Sequence, residues 1–293
     1  MDEDRRLQAH VNARIIAKIP THAVESIVAI VVAKPPSLHV LGTGNLFELA
    51  GESFVVTAGH VIRTASAYDR TIGISDDART FIATAGEWLV SSQGDEPDEV
   101  LDLAVYRLPP TAVGRLQRKR FLRRADVNVR ELPPRAVFTL CGFPGALSEP
   151  SRQAGEPLHL RPFEYTTYAS GSKGNPLLGF DPRYHLLLDA TANQATLSDG
   201  SGAVFRNTTG ASVPFPRGLG GISGCAVWVI GDLALAVEAW EPAQVVGVQT
   251  CVYHDSQLIR ATRWGALTTL LGKADPSLQR ALDLWTRSDG AAT

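Results

Sequence analysis

The segment Ser53–Val61, with the sequence SFVVTAGHV, decides the fold. It begins as a run of apolar and β-branched residues of the kind that forms a buried strand. Two small residues, Ala58 and Gly59, then allow a tight turn that presents His60 where the strand ends. A single histidine is more often structural than catalytic. The segment alone therefore predicts a strand and a turn, and no site.

Two further segments also place a polar residue beside an apolar run. In DEVLDLAVYRL, Asp102 opens a strand, and a carboxylate there is costly to bury unless a donor meets it. In GLGGISGCAVWVI, Ser223 lies among glycines ahead of another strand. Glycines let successive backbone N–H groups turn toward one point, as an oxyanion hole requires. Taken singly, these segments would be a strand-entry turn and a glycine-rich hairpin.

Taken together, the three residues predict nucleophilic catalysis. Serine is a poor nucleophile until a histidine removes its proton, and the histidine needs a carboxylate to fix its tautomer. The order along the chain is His60, Asp102, Ser223. This order is that of the chymotrypsin arrangement, and it differs from the orders of subtilisin and of the α/β-hydrolases.

At these residues the chain resembles the trypsin/chymotrypsin-like serine peptidases, in particular bacterial intracellular members with a bare peptidase domain. The resemblance spans about residues 26–252. The matching motifs are Thr57–His60, Asp102–Val105 and Gly221–Gly224, with Gly42–Gly44, Cys141–Gly145 and Val246–Val248 as additional matches.

The resemblance implies an all-β fold of two six-stranded antiparallel β-barrels of the chymotrypsin type, with the active site between them and a C-terminal helix. The sequence pattern adds an N-terminal helix and a second C-terminal helix, which go beyond the family. The resemblance also implies that His60 is the base and then the acid, that Asp102 orients it and that Ser223 is the nucleophile. The N–H groups of Gly221 and Ser223 would form the oxyanion hole. An extended polypeptide substrate would pair with Thr250, Cys251 and Val252, and no cofactor or metal is implied.

The chain departs from the family around the serine. Ile222 stands where activated digestive enzymes carry an aspartate that pairs with a newly cut N-terminus. We therefore expect no cleavage-triggered activation. Cys225 offers an alternative thiol nucleophile, although the Gly-x-Ser-Gly frame centres on Ser223. Arg217 falls where the family places the floor of its primary pocket; it is either a determinant for acidic side chains or a surface arginine.

Composition excludes other classes of function. The chain has 293 residues, 28 Lys+Arg against 30 Asp+Glu and a net charge of −2, so neither nucleic acid nor an anionic membrane is expected as a partner. Three cysteines without CxxC spacing predict free thiols and no zinc site. The N-terminus lacks the apolar region of a secretory signal, which favours a cytoplasmic protein.

Two regions outside these motifs could bind a partner. Six cations between Arg115 and Arg124 form either a patch for nucleic acid or an acidic partner or, as we favour, the solvated side of a linker helix with Leu116, Phe121 and Leu122 facing inward. The terminal helices could dock a regulatory protein partner or simply cover the barrels.

The predicted organisation is an N-terminal helical extension (1–24), a first barrel (25–110), a linker (111–135), a second barrel (136–254) and C-terminal helices (255–293). The expected function is a serine endopeptidase. The alternatives are a catalytically weak or switched peptidase-fold module used for binding or as an effector, and an esterase with the same triad. Strands are predicted at 26–33, 38–49, 53–58, 79–85, 101–107, 136–141, 158–169, 184–189, 225–230, 233–239 and 245–252, and helices at 1–18, 257–271 and 277–286.

Overall fold

The structure, a computed structural model, describes residues 18, 22–34, 37–67, 71–76, 81–91, 100–145, 148, 158, 160–170, 177–190, 195–197 and 220–286. The predicted helix over 1–18 lies outside these residues apart from its last position. Arg217 also lies outside them.

The first sheet has seven antiparallel strands. Its spatial order is β5-β4-β1-β2-β3-β7-β6. Strand β3 is buried along its second half, as the apolar run that ends at Ala58 predicts. The strands are β1 (Ile27–Lys34), β2 (Ser37–Leu49), β3 (Glu52–Ala58), β4 (Ile72–Ser75), β5 (Phe81–Ala83), β6 (Leu89–Val90) and β7 (Leu103–Arg107).

The second sheet also has seven antiparallel strands, in the order β10-β14-β13-β12-β8-β9-β11. An antiparallel bridge between Ala169 and Leu188 joins the β9 side of this sheet to β10 and closes it into a barrel. The strands are β8 (Ala136–Gly142), β9 (Phe163–Tyr168), β10 (His185–Asp189), β11 (Ala195–Leu197), β12 (Ala226–Asp232), β13 (Gln244–Tyr253) and β14 (Leu258–Arg263).

The observed strands confirm the predicted all-β fold and change its count from six to seven strands in each sheet. The strands that were not predicted include β6, with two residues, and β11, with three. Strands this short carry no period that a sequence pattern can reveal, so only their pairing identifies them. No bridge between described residues joins the two edges of the first sheet.

Five α-helices are described: α1 (His22–Glu25), α2 (Gly59–Ser66), α3 (Pro110–Arg115), α4 (Trp264–Ala274) and α5 (Gln279–Thr286). Short 3-10 helices lie at Arg124–Asp126, Val237–Ala239 and Pro276–Leu278. None of the helices in the described part of the chain is long and apolar enough to cross a membrane.

Two predicted elements are wrong. The helix predicted over 257–271 is the strand β14 followed by α4, because Leu258–Arg263 pairs along the edges of β13 and β10. The strand predicted over 233–239 is a turn. Asp232 accepts hydrogen bonds from the N–H groups of Ala234 and Leu235, which ends β12 and reverses the chain.

The connection between the sheets contacts both of them. Leu116 and Leu122 are buried and Phe121 is partly buried, as the linker-helix interpretation predicts, although the helix itself is only α3. Leu122 forms a parallel bridge with Phe47 of β2, and Val127 forms another with Val245 of β13.

The two sheets share a hydrophobic core. The largest buried cluster contains Phe47 from the first sheet, Trp228 from the second and Trp264 from α4. The rings of Phe47 and Trp264 pack edge to face, with centroids 5.8 Å apart. Because this core joins the two sheets, it fixes their relative position. Side chains of one sheet can therefore make defined contacts with residues of the other.

Candidate active site

His60 lies in the first turn of α2, which follows β3 without an intervening loop. The residue before the helix, Ala58, has no side chain that could cap it. Asp102 caps the helix instead: its carbonyl oxygen accepts from Gly59 N–H at 2.8 Å, and its Oδ1 accepts from His60 N–H at 2.8 Å. A carboxylate at this position satisfies free N–H groups and complements the helix dipole.

The same carboxylate fixes the imidazole. His60 Nδ1 lies 2.7 Å from Asp102 Oδ2, and because an ionised carboxylate only accepts, Nδ1 carries the proton. In the neutral imidazole Nε2 is then the free acceptor. The His60 side chain is 41% exposed, so this acceptor is open to a substrate or a nucleophile.

Asp102 is held ionised by donors around it. Burial would raise its pKa, but hydrogen bonding to His60, the charge of His60 and the charge of Arg63 outweigh burial and lower the pKa below its usual range. Arg63 Nη2 donates to Oδ1 at 2.5 Å, and Arg260 Nη2 lies 3.8 Å from Oδ2. Two cations, Arg63 from α2 and Arg260 from β14, therefore flank the carboxylate.

The backbone of Ser223 lies against the strands that precede His60. Its carbonyl oxygen accepts from Thr43 N–H at 2.8 Å. The next residue, Gly224, has φ +93°, and a Cβ there would lie 2.1 Å from both Thr43 O and Thr57 Oγ1, so only glycine fits. The Oγ of Ser223 makes no hydrogen bond with a described residue, His60 included.

The peptide groups around Ser223 are oriented by other parts of the fold. Gly145 N–H donates to Gly220 O at 2.6 Å, and Cys225 N–H donates to Ile222 O at 2.8 Å. In a trans peptide the N–H points opposite to the C=O. The N–H groups of Gly221 and Ser223 therefore point away from these partners, and no described residue accepts from either.

Ile222 and Cys225 both point into the second sheet. Ile222 is 1% exposed and Cys225 is fully buried in the same apolar cluster. Burial raises the pKa of the Cys225 thiol far above its usual range, which disfavours the thiolate that a nucleophile requires. The position of Ile222 suits an apolar side chain and would leave a carboxylate without a partner.

We call residues 250–252 of β13 the free edge, because they have no pairing partner among the described residues on the side that faces β12. The pairing of β13 with β12 ends at Val248 opposite Ala226, and Gln249 still exchanges hydrogen bonds with the backbone of Gly224 and Cys225. Beyond Gln249, no described residue pairs with β13 on that side. The Thr250 side chain points inward, 2% exposed, and Cys251 is half-buried.

Four residues that contact Asp102 or the two residues before it were not predicted from the sequence: Arg63, His185, Arg260 and Thr262. Arg63 follows His60 by one helical turn, a spacing that would have identified it had α2 been predicted. Arg260 and Thr262 lie in β14, which the sequence pattern assigned to a helix. The sequence gives no signal for His185.

No family model and no curated protein matches the chain. Similar solved structures include a thermostable serine protease from an extremophilic microorganism (13% identity, 88% of this chain and 100% of that one covered, TM-score 0.47). They also include the protease Anisep from Arthrobacter nicotinovorans (14%, 85% and 95%, TM-score 0.47) and the serine protease domain of the Sesbania mosaic virus polyprotein (15%, 82% and 88%, TM-score 0.42).

At these identities and TM-scores the likenesses say nothing about the chemistry of this chain. The fold follows from its own strand order: two antiparallel sheets, one closed into a barrel, sharing a core and followed by C-terminal helices. This is the chymotrypsin-type fold that the resemblance to trypsin-like peptidases implies.

Proposed function

We propose that the chain is a serine-type peptidase that hydrolyses polypeptide substrates through His60, Asp102 and Ser223. The observation that carries this proposal is the hydrogen bond of 2.7 Å between His60 Nδ1 and Asp102 Oδ2. It leaves Nε2 of a half-exposed imidazole as the acceptor, which is the protonation state that a general base needs.

In the proposed reaction Ser223 Oγ attacks the carbonyl carbon of the substrate while His60 Nε2 takes its proton. The imidazolium is stabilised by the ionised Asp102. The negative charge on the substrate oxygen is met by the N–H groups of Gly221 and Ser223. His60 then gives its proton to the leaving amine, and a water molecule activated by the same base hydrolyses the acyl-enzyme.

The proposed reaction requires Ser223 Oγ and His60 Nε2 to come within hydrogen-bond distance, because the structure has no hydrogen bond between them. Hydrogen bonds between catalytic groups often tighten only when substrate is bound.

The free edge of β13 supports a polypeptide as the substrate. An extended peptide adds to an open strand edge through main-chain hydrogen bonds, and residues 250–252 offer such an edge beside Ser223. Simple esters need no such edge, so the edge favours peptide hydrolysis over ester hydrolysis.

The second candidate function is a catalytically weak or switched module that binds peptides. The specific observation in its favour is that Ser223 Oγ makes no hydrogen bond with His60. If no hydrogen bond forms between Ser223 Oγ and His60 when a peptide is bound, the same edge would bind a chain without cleaving it.

Labelling with a fluorophosphonate tests the proposal, because this probe reacts with a serine only when the base and the oxyanion donors are assembled. We expect stoichiometric labelling of the wild type and none of Ser223→Ala or His60→Ala. The matched control is Ser66→Ala, at an exposed serine on the same helix as His60, which should label like the wild type.

An unlabelled wild type, or labelling that survives Ser223→Ala, would overturn the proposal. A labelled protein that binds peptides from an extended library without cleaving them would favour the binding module. Cleavage of esters alone would indicate an esterase.

A further inference from the structure

Hydrogen bonds from the second sheet hold the two residues that precede Asp102. We call Val100–Asp102, which leads into β7, the aspartate turn. Asp102 has φ +50°, in the left-handed region that is unfavourable for most residues other than glycine. A turn held in this conformation depends on contacts around it.

A directed chain of hydrogen bonds reaches the middle of the turn from β13 and β14. The hydroxyl of Thr262 donates to Leu101 O at 2.6 Å. Because its one proton is used there, Thr262 accepts from the hydroxyl of Thr250, 3.3 Å away. Thr250 in turn accepts from Arg260 Nε at 3.2 Å.

His185 of β10 holds the start of the turn. Its Nδ1 accepts from Asp181 N–H at 2.9 Å, so in the neutral ring the proton lies on Nε2. That proton is donated to Val100 O at 3.0 Å. The residue is 1% exposed, so no solvent competes for this bond.

Arg260 holds the end of the turn. Its Nη2 lies 3.8 Å from Asp102 Oδ2, the oxygen that accepts the hydrogen bond from His60 Nδ1, and its Nη1 donates to Gly179 O at 2.5 Å. At 7% exposure the guanidinium is screened little by solvent. Partners at Nε, Nη1 and Nη2 fix the orientation of this planar group.

Strand β13, which carries Thr250, also holds the backbone beside Ser223. Gly224 N–H donates to the carbonyl of Gln249, the neighbour of Thr250 in β13. The backbone beside Ser223 is therefore hydrogen-bonded to Gln249, and the residue before Asp102 is linked through Thr262 to Thr250, the next residue of the same strand.

We infer that His185, Thr262 and Arg260 form a clamp through which the second sheet positions Asp102, and through it the imidazole of His60, relative to Ser223. They are positioning residues, because none of them forms a hydrogen bond or an ion pair with His60 or Ser223. This inference rests on the proposed function for its catalytic consequence, while its structural content is the orientation of Asp102.

The variant Thr262→Val tests the clamp, since it removes the hydroxyl and keeps the shape of the side chain. Thr262→Ser keeps the hydroxyl. The matched control is Thr139→Val on β8, at a fully buried threonine whose hydroxyl has no partner among the described residues. Three quantities are measured: the rate of fluorophosphonate labelling, kcat and KM for a cleaved peptide, and the low-field proton resonance of His60 Nδ1 in protein carrying ¹⁵N-histidine.

For Thr262→Val we expect labelling and kcat to fall by about tenfold with KM within twofold, because misplaced catalytic groups slow the chemical step. The Nδ1 resonance should shift or broaden. Thr262→Ser and Thr139→Val should match the wild type in all three. Wild-type labelling together with a wild-type Nδ1 resonance in Thr262→Val would overturn the clamp.

The pair His185→Phe and His185→Gln keeps the test decisive if Thr262→Val fails to fold. Only glutamine can still donate toward Val100 O, so His185→Gln should retain most of the labelling that His185→Phe loses. Equal labelling of the two would refute the clamp. A wild type that is never labelled would instead refute the proposed function, and the Nδ1 resonance would still report on the clamp.

Discussion

The hydroxyl of Thr43, in the first sheet, donates a hydrogen bond of 3.0 Å to the carbonyl oxygen of Gly221, in the second. The same hydroxyl accepts from Phe143 N–H at 2.9 Å, and the Thr43 N–H donates to Ser223 O at 2.8 Å. One buried side chain thus orients the peptide that follows the proposed oxyanion donor Gly221. Hydrogen bonds from the first sheet therefore orient the backbone around Ser223, the proposed nucleophile.

Replacing Thr43 by valine should therefore damage both stability and activity. Thr43→Val leaves the Gly221 carbonyl and the Phe143 N–H unpaired in a buried site, and we expect the free energy of unfolding to fall by about 1–3 kcal/mol. Fluorophosphonate labelling should slow as well. Thr43→Ser, which keeps the hydroxyl, should restore labelling; urea denaturation and labelling rates check both variants, and equal behaviour of the two would contradict this role.

The variant Asp102→Asn should reduce kcat by about four orders of magnitude. Both carboxylate oxygens accept hydrogen bonds, Oδ1 from His60 N–H and Arg63 and Oδ2 from His60 Nδ1. An amide must turn its NH₂ group toward one of these donors, which either disturbs the cap of α2 or forces the wrong tautomer on His60. Asp275→Asn, at an aspartate in a surface ion pair with Arg107, is the control and should leave kcat unchanged. A small effect at Asp102 would argue against its orienting role.

Gly224 should not tolerate alanine. Gly224→Ala adds a Cβ that would lie 2.1 Å from backbone and side-chain oxygens at φ +93°, so we expect a loss of more than about 3 kcal/mol or failure to fold. Gly265→Ala is the contrasting variant. Gly265 lies in α4 with open space around its Cβ position, and alanine there should raise stability by about 0.5–1 kcal/mol. Thermal unfolding measures both, and a stable Gly224→Ala would show that the serine turn is looser than described.

Acid should weaken the fold through His185. The pKa of His185 is lowered from 6.5 to about 4, mainly by burial and further by the charge of Arg260. Asp181 and the hydrogen bond to the Val100 carbonyl raise the pKa and offset part of this effect. Between these pH values the folded protein binds fewer protons than the unfolded chain. The free energy of unfolding therefore falls as pH falls from 6.5 through 4, by at most about 3 kcal/mol from this group.

His185→Gln removes this titration, so its stability should depend less steeply on pH over that window. Urea denaturation at steps from pH 7.5 to 4 measures the difference. Parallel curves for the wild type and the variant would show that His185 does not titrate as inferred.

The three thiols should differ in reactivity in the native protein. Cys141 and Cys225 are fully buried, and burial raises the pKa of each; Cys251 is half-buried and its pKa is raised as well. Slow alkylation by iodoacetamide should therefore modify Cys251 first, as peptide mass spectrometry would show. Cys225→Ala should keep fluorophosphonate labelling, and loss of labelling there without loss of folding would revive the thiol alternative.

Much of the fold could be predicted from local patterns, and so could the pairing of His60 with Asp102 in the candidate site. Apolar runs bounded by turn residues identify β1, β2, β3, β7, β8 and β13. A buried strand can be recognised in this way because the apolar pattern lies within the strand's own residues. The hydrogen-bonded pair His60 and Asp102 was found through motifs at strand ends. The strand β14 was mistaken for a helix, because its strand conformation depends on pairing with β10 on one side and β13 on the other.

The sequence by itself determined which chemical groups are present and in what order: a histidine after a buried strand, an aspartate before another and a serine among glycines. These features are local, since they depend on a few neighbouring residues and on the conformations that those residues allow. The tertiary structure alone decided what surrounds the groups. Thr262 and Leu101 are 161 residues apart, and Thr43 and Gly221 are 178 apart. Such pairs meet only because strand register and a shared core fix the positions of the two sheets, and neither is recorded in the spacing of residues along the chain.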